Sequence, residues 1–267
     1  MRTIHEAVDN FTVPLDRFKT QLLVVALRAN GASSYRDAAA LSRLFGSQYG
    51  MKTTIFTDDA RKVIDIDKTL TTVVHVRRKR EMIQHIQKFT KDVPAQSNVI
   101  FVLSAHGYSR PCHPNRRHLE LNGRTEYIRL GPDTICDHEL YLALFGQMRK
   151  SIRVMCLVDT CHSGTMLDLE YLIRDGTHVQ RSRVPLAVVP ECVTISACSD
   201  QELAGEDISS FGGWGGKLTC AFLDYLVDRS HLRIIDFFRH VHGTFTRQTS
   251  QRCHPVLSYS SPLTSRS

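Results

Sequence analysis

Four stretches of this chain are apolar almost without interruption: Gln21 to Ala29 (QLLVVALRA), Asn98 to Ser104 (NVIFVLS), Ile152 to Val158 (IRVMCLV) and Cys192 to Ala197 (CVTISA). Each has strand length and is short for a core helix, and a strand that is apolar on both faces must be covered on both. The intervening sequence supplies the covers. Ala38, Leu41, Leu44 and Phe45 recur at helical spacing within Tyr35–Tyr49, and Gly50 ends the pattern. Residues 73 to 91 carry Val73, Val76, Ile83, Ile86 and Phe89 among charges, an imperfect amphipathic helix. A short strand is expected at MKTTIF (51 to 56), a helix from about Asp137 to Met148, helices near 216 to 228 and 233 to 245, and a closing strand at Pro255 to Ser258. This alternation predicts an α/β protein: a mostly parallel central sheet in a three-layer α/β/α sandwich.

A chain of 267 residues that is 42% hydrophobic can bury one large core. Residues 1 to 19 are read as an N-terminal segment and 20 to 267 as a single domain. RHLELNGRTEYIRL, around Asn122-Gly123, reads as an inserted β-hairpin, and residues 174 to 185 as a polar loop. The net charge of +7 comes from scattered Lys and Arg, so no nucleic-acid partner is expected, and Arg77-Arg78-Lys79-Arg80 reads as the solvated face of a helix. No window suits a membrane span or signal peptide, and eight cysteines are too sparse for a disulfide scaffold. An intracellular, cytoplasmic setting is therefore expected.

Two of the core strands run into small, polar, glycine-containing loops: Ser104-Ala105-His106-Gly107 and Asp159-Thr160-Cys161-His162-Ser163-Gly164. The functional crevice of an open parallel sheet lies at the carboxyl ends of its strands. A cysteine and a histidine meeting there form the nucleophile and base of covalent catalysis. His162 adjoins Cys161 but is expected to point elsewhere, which leaves His106 as the partner. The other seven cysteines read as small core residues. Cys112, His113, His118 and Cys136 have zinc-binding types at a spacing that matches no strong zinc pattern.

SAHGY (104 to 108) resembles the histidine loop of metacaspases, and DTCHSG (159 to 164) differs from their usual cysteine loop only at Thr160. TISACSDQELAGE (194 to 206), GGKLTCAFL (215 to 223) and HPVLSYSS (254 to 261) resemble the family's later segments in the same order. The separation 161 − 106 = 55 agrees with the roughly fifty residues between the caspase histidine and cysteine. The resemblance implies a caspase-like fold and a Cys161–His106 dyad that forms a thioester acyl-enzyme, with the backbone N–H groups of Gly107 and Cys161 as oxyanion donors. It also implies an acidic pocket for a substrate Arg or Lys from Asp159 and Asp37, with Ser104 on its wall and Ser34 where the family commonly has Cys.

The expected partners are thus peptides or proteins with a basic residue at the cleavage site, cut by a monomer without organic cofactor. Arg36 beside Asp37 keeps open an Asp-specific alternative, and a catalytically silent regulatory protein is the other. The resemblance further implies an activating Ca²⁺ site. Asp168 fits one family position, Asp137 and Glu139 match a second pair in part, His138 stands where an Asp is usual, and Glu126 or Asp133 could contribute. An enzyme selecting Arg would also meet Arg174, Arg181 and Arg183 in its own loop, where slow self-processing is expected.

Overall fold

The computed structural model describes residues 8–28, 33–113, 120, 123–174, 177–180, 190–210, 213–247 and 253–260. In chain order its elements begin with β1 (Thr12–Pro14), β2 (Thr20–Ala26), α1 (Ser33–Tyr49), β3 (Thr53–Thr57), β4 (Thr71–His75), α2 (Lys79–Asp92) and β5 (Asn98–Ser104). Next come β6 (Gly107–Pro111), β7 (Arg124–Leu130), β8 (Asp133–Cys136), α3 (Asp137–Phe145), β9 (Arg153–Asp159), β10 (Tyr171–Arg174) and β11 (Thr177–Gln180). The last are β12 (Glu191–Ser196), β13 (Glu206–Ser209), β14 (Gly213–Gly216), α4 (Lys217–Leu226), β15 (His231–Arg233), α5 (Ile234–Arg247) and β16 (Val256–Tyr259).

The central sheet has nine strands in the order β11-β10-β16-β12-β9-β5-β2-β3-β4. From β12 to β4 every pairing is parallel, whereas β16, β10 and β11 add antiparallel pairings at one edge. The four apolar runs are its centre, and their side chains alternate between two cores. Leu22 and Val24 of β2, Ile100 and Val102 of β5, and Met155 and Leu157 of β9 pack with buried residues of α1, α4 and α5. Leu23 and Val25, Phe101 and Leu103, and Val154 and Cys156 face α2 and α3. Three layers follow, as expected for both-sided burial. Among the described residues, no helix is long and apolar enough to cross a membrane.

Several sequence expectations are corrected. Residues 71–75 are a strand beside β3, so the helix expected from 73 begins only at Lys79. Thr71-Thr72-Val73-Val74 is β-branched and favours the pleated edge. The inserted hairpin is a three-stranded sheet in which β7 pairs with both β6 and β8. Residues 171–174 and 177–180 form a hairpin that extends the main sheet, so Arg174 is paired with Thr177 and does not lie in an open loop. Arg181 and Arg183 fall outside the described residues.

Residues 8–15, assigned above to an N-terminal segment, contribute Val8, Phe11, Val13 and Leu15 to the core shared with α1, α4 and α5. β1 pairs with β15, and the Arg153 guanidinium lies 4.5 Å from the centre of the Phe11 ring while donating to the Thr12 carbonyl at 2.8 Å. Phe11→Ala should therefore cost about 3–5 kcal/mol in chemical unfolding, as removal of a buried aromatic does. A loss under about 1 kcal/mol would mean that this segment is not part of the cooperative core.

Candidate active site

β5 and β9 are adjacent, parallel and in register, with Ser104 opposite Asp159. The chain leaves both strands at the same end, and two residues later carries His106 and Cys161 into one cleft of about 310 Å³. The loops touch through Gly107, where a Cβ would stand 2.2 Å from the Cys161 carbonyl oxygen and 3.1 Å from the Thr160 Cβ. Only glycine permits that approach. On the other side, the His106 carbonyl accepts from the Arg129 N–H at 3.2 Å, tying the histidine loop to β7.

All eight cysteines are free thiols, and seven are buried while Cys161 is half-exposed. Burial pushes the Cys161 thiol above its ordinary value, so the resting group is protonated at neutral pH, and a nucleophilic role would require a base. Burial pushes Cys198 and Cys220 up to about 12, where they are inert.

The segment after β12 holds the cysteine loop. Asp200 accepts from the Thr165 N–H at 2.7 Å, and a Cβ on Gly164 would meet the same carboxylate at 3.0 Å. His162 adopts a left-handed φ of 54°, with its N–H on the Glu202 carbonyl and Nδ1 2.7 Å from the Asp200 carbonyl. It does not line the cleft.

The cleft floor is acidic. Asp159 Oδ2 accepts from the Thr219 N–H and hydroxyl, each at 2.8 Å. Thr219 lies in the first turn of α4, whose N-cap is Gly216 with no side chain to cap it, so Asp159 caps the helix from the neighbouring strand. Asp37 stands behind Ser104: its Oδ2 accepts from the Ser104 hydroxyl at 2.6 Å and its Oδ1 from the Gly216 N–H at 3.0 Å. Gly215 and Gly216 press on the two acids, since a Cβ at either would come within 2.3 Å of Asp37 Oδ1 or Asp159 Oδ2 respectively. Burial raises both carboxyls above their usual range; the Asp159 charge adds to this at Asp37, whereas the Thr219 hydrogen bonds oppose it at Asp159. Among the described residues, neither acid forms an ion pair with Lys or Arg.

The metacaspase, peptidase C14 domain model matches residues 30–170, just over half of the chain. The chain belongs to the metacaspase family. It is 23% identical over 189 residues to metacaspase-1 of Plasmodium falciparum, a match covering 68% of this chain and 30% of that protein. Metacaspase-5 of Trypanosoma cruzi is 25% identical over 199 residues, with 69% and 45% covered. Inactive metacaspase-4 of Trypanosoma brucei brucei is 28% identical over 152 residues, with 52% and 42% covered. The chain thus spans less than half the length of each of these relatives. A crystal structure of a Geobacter sulfurreducens protein shares the fold, with a TM-score of 0.59, 20% identity and 91% and 93% of the two chains covered. The matched family model is that of a peptidase C14 domain, and one of these relatives is an inactive member.

Not every residue expected at the metacaspase site lies there. Ser34 donates its hydroxyl to the Leu27 carbonyl at 2.6 Å in the interior, and Ser33 lines the cleft instead. A helix advances about 100° per residue, so the neighbouring serine faces another way. Of the expected cation ligands, Asp137 and Asp168 come together with Glu126 and Glu120, all four buried. Carboxylate oxygens of Glu120, Glu126 and Asp137 lie within 4.8 Å of one another. Burial, then the charges of Asp168, Glu120 and Glu126, raise the Asp137 carboxyl well above its usual value. Glu139 is elsewhere: it binds Lys79 Nζ at 2.8 Å and caps α3 through the Cys136 N–H at 3.1 Å. Asp133 likewise accepts from the Lys79 N–H at 2.9 Å. Among the described residues, no Cys/His group has metal-site geometry; His118 is not among them.

The sequence reading missed Gly215, Gly216, Thr219, Glu206 and Trp214. The run GGWGG (212 to 216) was the available signal, because clustered glycines mark a close approach of backbone to something else. Replacing Gly107 with Ala sets a side chain against a backbone oxygen that no rotamer change can move. Gly107→Ala should part the two loops, lowering peptidase turnover about 100-fold at a stability cost of about 1–3 kcal/mol in denaturant titration. Near-normal turnover would show that the loops need not touch.

Proposed function

We propose that this domain is an endopeptidase that cleaves after Arg or Lys through a Cys161–His106 dyad. The observation that carries the reading is the pair of buried carboxylates at the catalytic cleft, Asp159 on its floor and Asp37 one layer behind, without a basic side chain paired to either among the described residues. A guanidinium or ammonium from the substrate would relieve the repulsion and desolvation that raise both groups. An acidic substrate residue would instead need a cation there. Arg36, the candidate for an Asp-specific enzyme, is exposed and does not line the cleft.

In the proposed reaction His106 takes the Cys161 thiol proton as sulfur attacks the scissile carbonyl. The carbonyl π electrons move to oxygen, which the N–H groups of Gly107 and Cys161 would stabilise. When the tetrahedral species collapses, the C–N bond breaks and the departing amine takes the proton from His106, leaving a thioester. Water, deprotonated by His106, then attacks the thioester; the C–S bond breaks, releasing the acid, and the thiol regains its proton.

An all-oxygen set of Glu120, Glu126, Asp137 and Asp168 suits a hard cation such as Ca²⁺, which would neutralise charges that otherwise raise Asp137. Glu126 lies opposite Ser109 in the ladder that begins at Gly107, and Asp168 follows the cysteine loop, so this set joins the supports of both catalytic loops. Self-processing is proposed after Arg181 or Arg183 and not after Arg174, whose backbone is held in a strand ladder.

The silent alternative has a precedent in the inactive trypanosome relative, but Cys161, His106, Asp159 and Asp37 are all present here. Fluorogenic peptides ending in Arg, Lys or Asp, with and without Ca²⁺, separate the readings. Arg and Lys peptides should be cleaved, faster with Ca²⁺, and Cys161→Ala or His106→Ala should each remove at least about 1,000-fold of the rate. Preference for the Asp peptide, or turnover surviving in Cys161→Ala, would refute the reading.

A further inference from the structure

The β13–β14 hairpin, which the dyad chemistry leaves unused, forms one wall of the cleft. Its register sets Glu206 opposite Gly216 and Ile208 opposite Trp214, so Glu206, Ile208 and Trp214 share one face. The other face turns inward, where Ser209 donates to Asp224 and a Cβ at Gly215 would strike Asp37. Trp214, the chain's single tryptophan, is 45% exposed and lines the same cleft as Cys161, His106 and Asp159. Its indole N–H donates to Glu206 Oε2 at 3.0 Å, which fixes the ring beside the carboxylate. Glu206 also lines the cleft, and its charge contributes to raising both Asp37 and Asp159.

We propose that Trp214 and Glu206 form a second cation-recognising subsite, which selects an Arg, or less strongly a Lys, at one of the two substrate positions preceding the cleaved residue. The inference rests on the basic first-pocket reading and extends it from singly to doubly basic sequences. An indole face attracts a guanidinium through its quadrupole, and a carboxylate at the ring edge can accept the guanidinium N–H groups at the same time. Arg suits this better than Lys because it is planar and stacks. Gly216 lies on the same face as Glu206 and Trp214, and a Cβ there would meet Asp159 Oδ2, so the floor of the first pocket and the second subsite adjoin across Gly216. In an extended substrate successive side chains point to opposite sides, so two basic residues can be read by different walls of one cleft. Exposure of both groups makes this second recognition sensitive to salt, unlike contact with an apolar platform.

The single tryptophan is its own reporter. In full-length Cys161→Ala, emission of Trp214 is titrated with short peptides that end in Arg and carry Arg, Lys, Leu or Gly at each of the two preceding positions. At one of those positions Arg should bind about tenfold more tightly than Gly, with Lys between them, and should change the emission. Raising the salt should shrink that ratio. Glu206→Gln should lower the Arg/Gly ratio to about threefold or less, and Trp214→Leu, followed by calorimetry, should lower it as well. Equal binding of Gly and Arg peptides would overturn the second subsite while leaving the first pocket intact. Leu binding as tightly as Arg would overturn it in favour of an apolar platform. Equal weakening of all peptides by Glu206→Gln would assign Glu206 to the first pocket, and absence of binding by every Arg peptide would overturn both readings.

Discussion

Burial of Asp37 and Asp159 beneath the Gly215–Gly216 backbone is the constraint around which the rest of the site is arranged. Two carboxyls in one water-poor volume raise each other's proton affinity and must be held by donors. Here those donors are the Ser104 hydroxyl, the Gly216 N–H, and the Thr219 N–H and hydroxyl. These bonds reach from α1 and β9 to β5, β14 and α4, so the acids join elements that flank Cys161. Asp159 is also the missing cap of α4, and one side chain therefore anchors a helix and presents negative charge to the cleft. Glycine is required twice by the same logic of close approach. At Gly107 it lets the histidine loop meet the cysteine loop, and at Gly216 it lets backbone lie against the acid.

The same arrangement accounts for division of labour among the ionisable groups. Cys161 rests as a thiol because its surroundings are desolvated and the nearby Asp159 charge adds to that effect. A basic substrate residue held at the acids would counter the latter influence as it positions the scissile bond, joining recognition to activation in one electrostatic change.

Much of this architecture was legible because the central strands are covered on both faces and so are apolar throughout. The edges were harder. β4 has half-exposed side chains and the pattern of either a strand or a helix start, and β11 (THVQ) is a polar strand within a stretch that reads as a loop. Cys161 and His106 were legible because each follows a strand whose end the parallel topology fixes. Thr219 and the role of Gly216 were not, since the Asp159–Thr219 bond spans 60 residues and has no local pattern. Glu139 differs for a related reason: the resemblance matches it with Asp137 to a family pair, but its side chain folds back to cap its own helix and meet Lys79.

The central claim is that the acid pair awaits a substrate cation. Each carboxyl is raised in the folded, unliganded protein, so it holds a proton more tightly there than in the unfolded chain. The stability this contributes is full at low pH and is lost as pH rises from the ordinary carboxylate range through the raised values. Binding a cation should reverse the shift and expel protons. Benzamidine, a guanidinium mimic, can be titrated calorimetrically into Cys161→Ala in buffers of different ionisation enthalpy, from about pH 5 to about pH 8. The account predicts proton release on binding and an affinity that increases with pH across this window, both reduced in Asp159→Asn and abolished when Asp37→Asn is added. Binding without proton release and with an affinity independent of pH would contradict it.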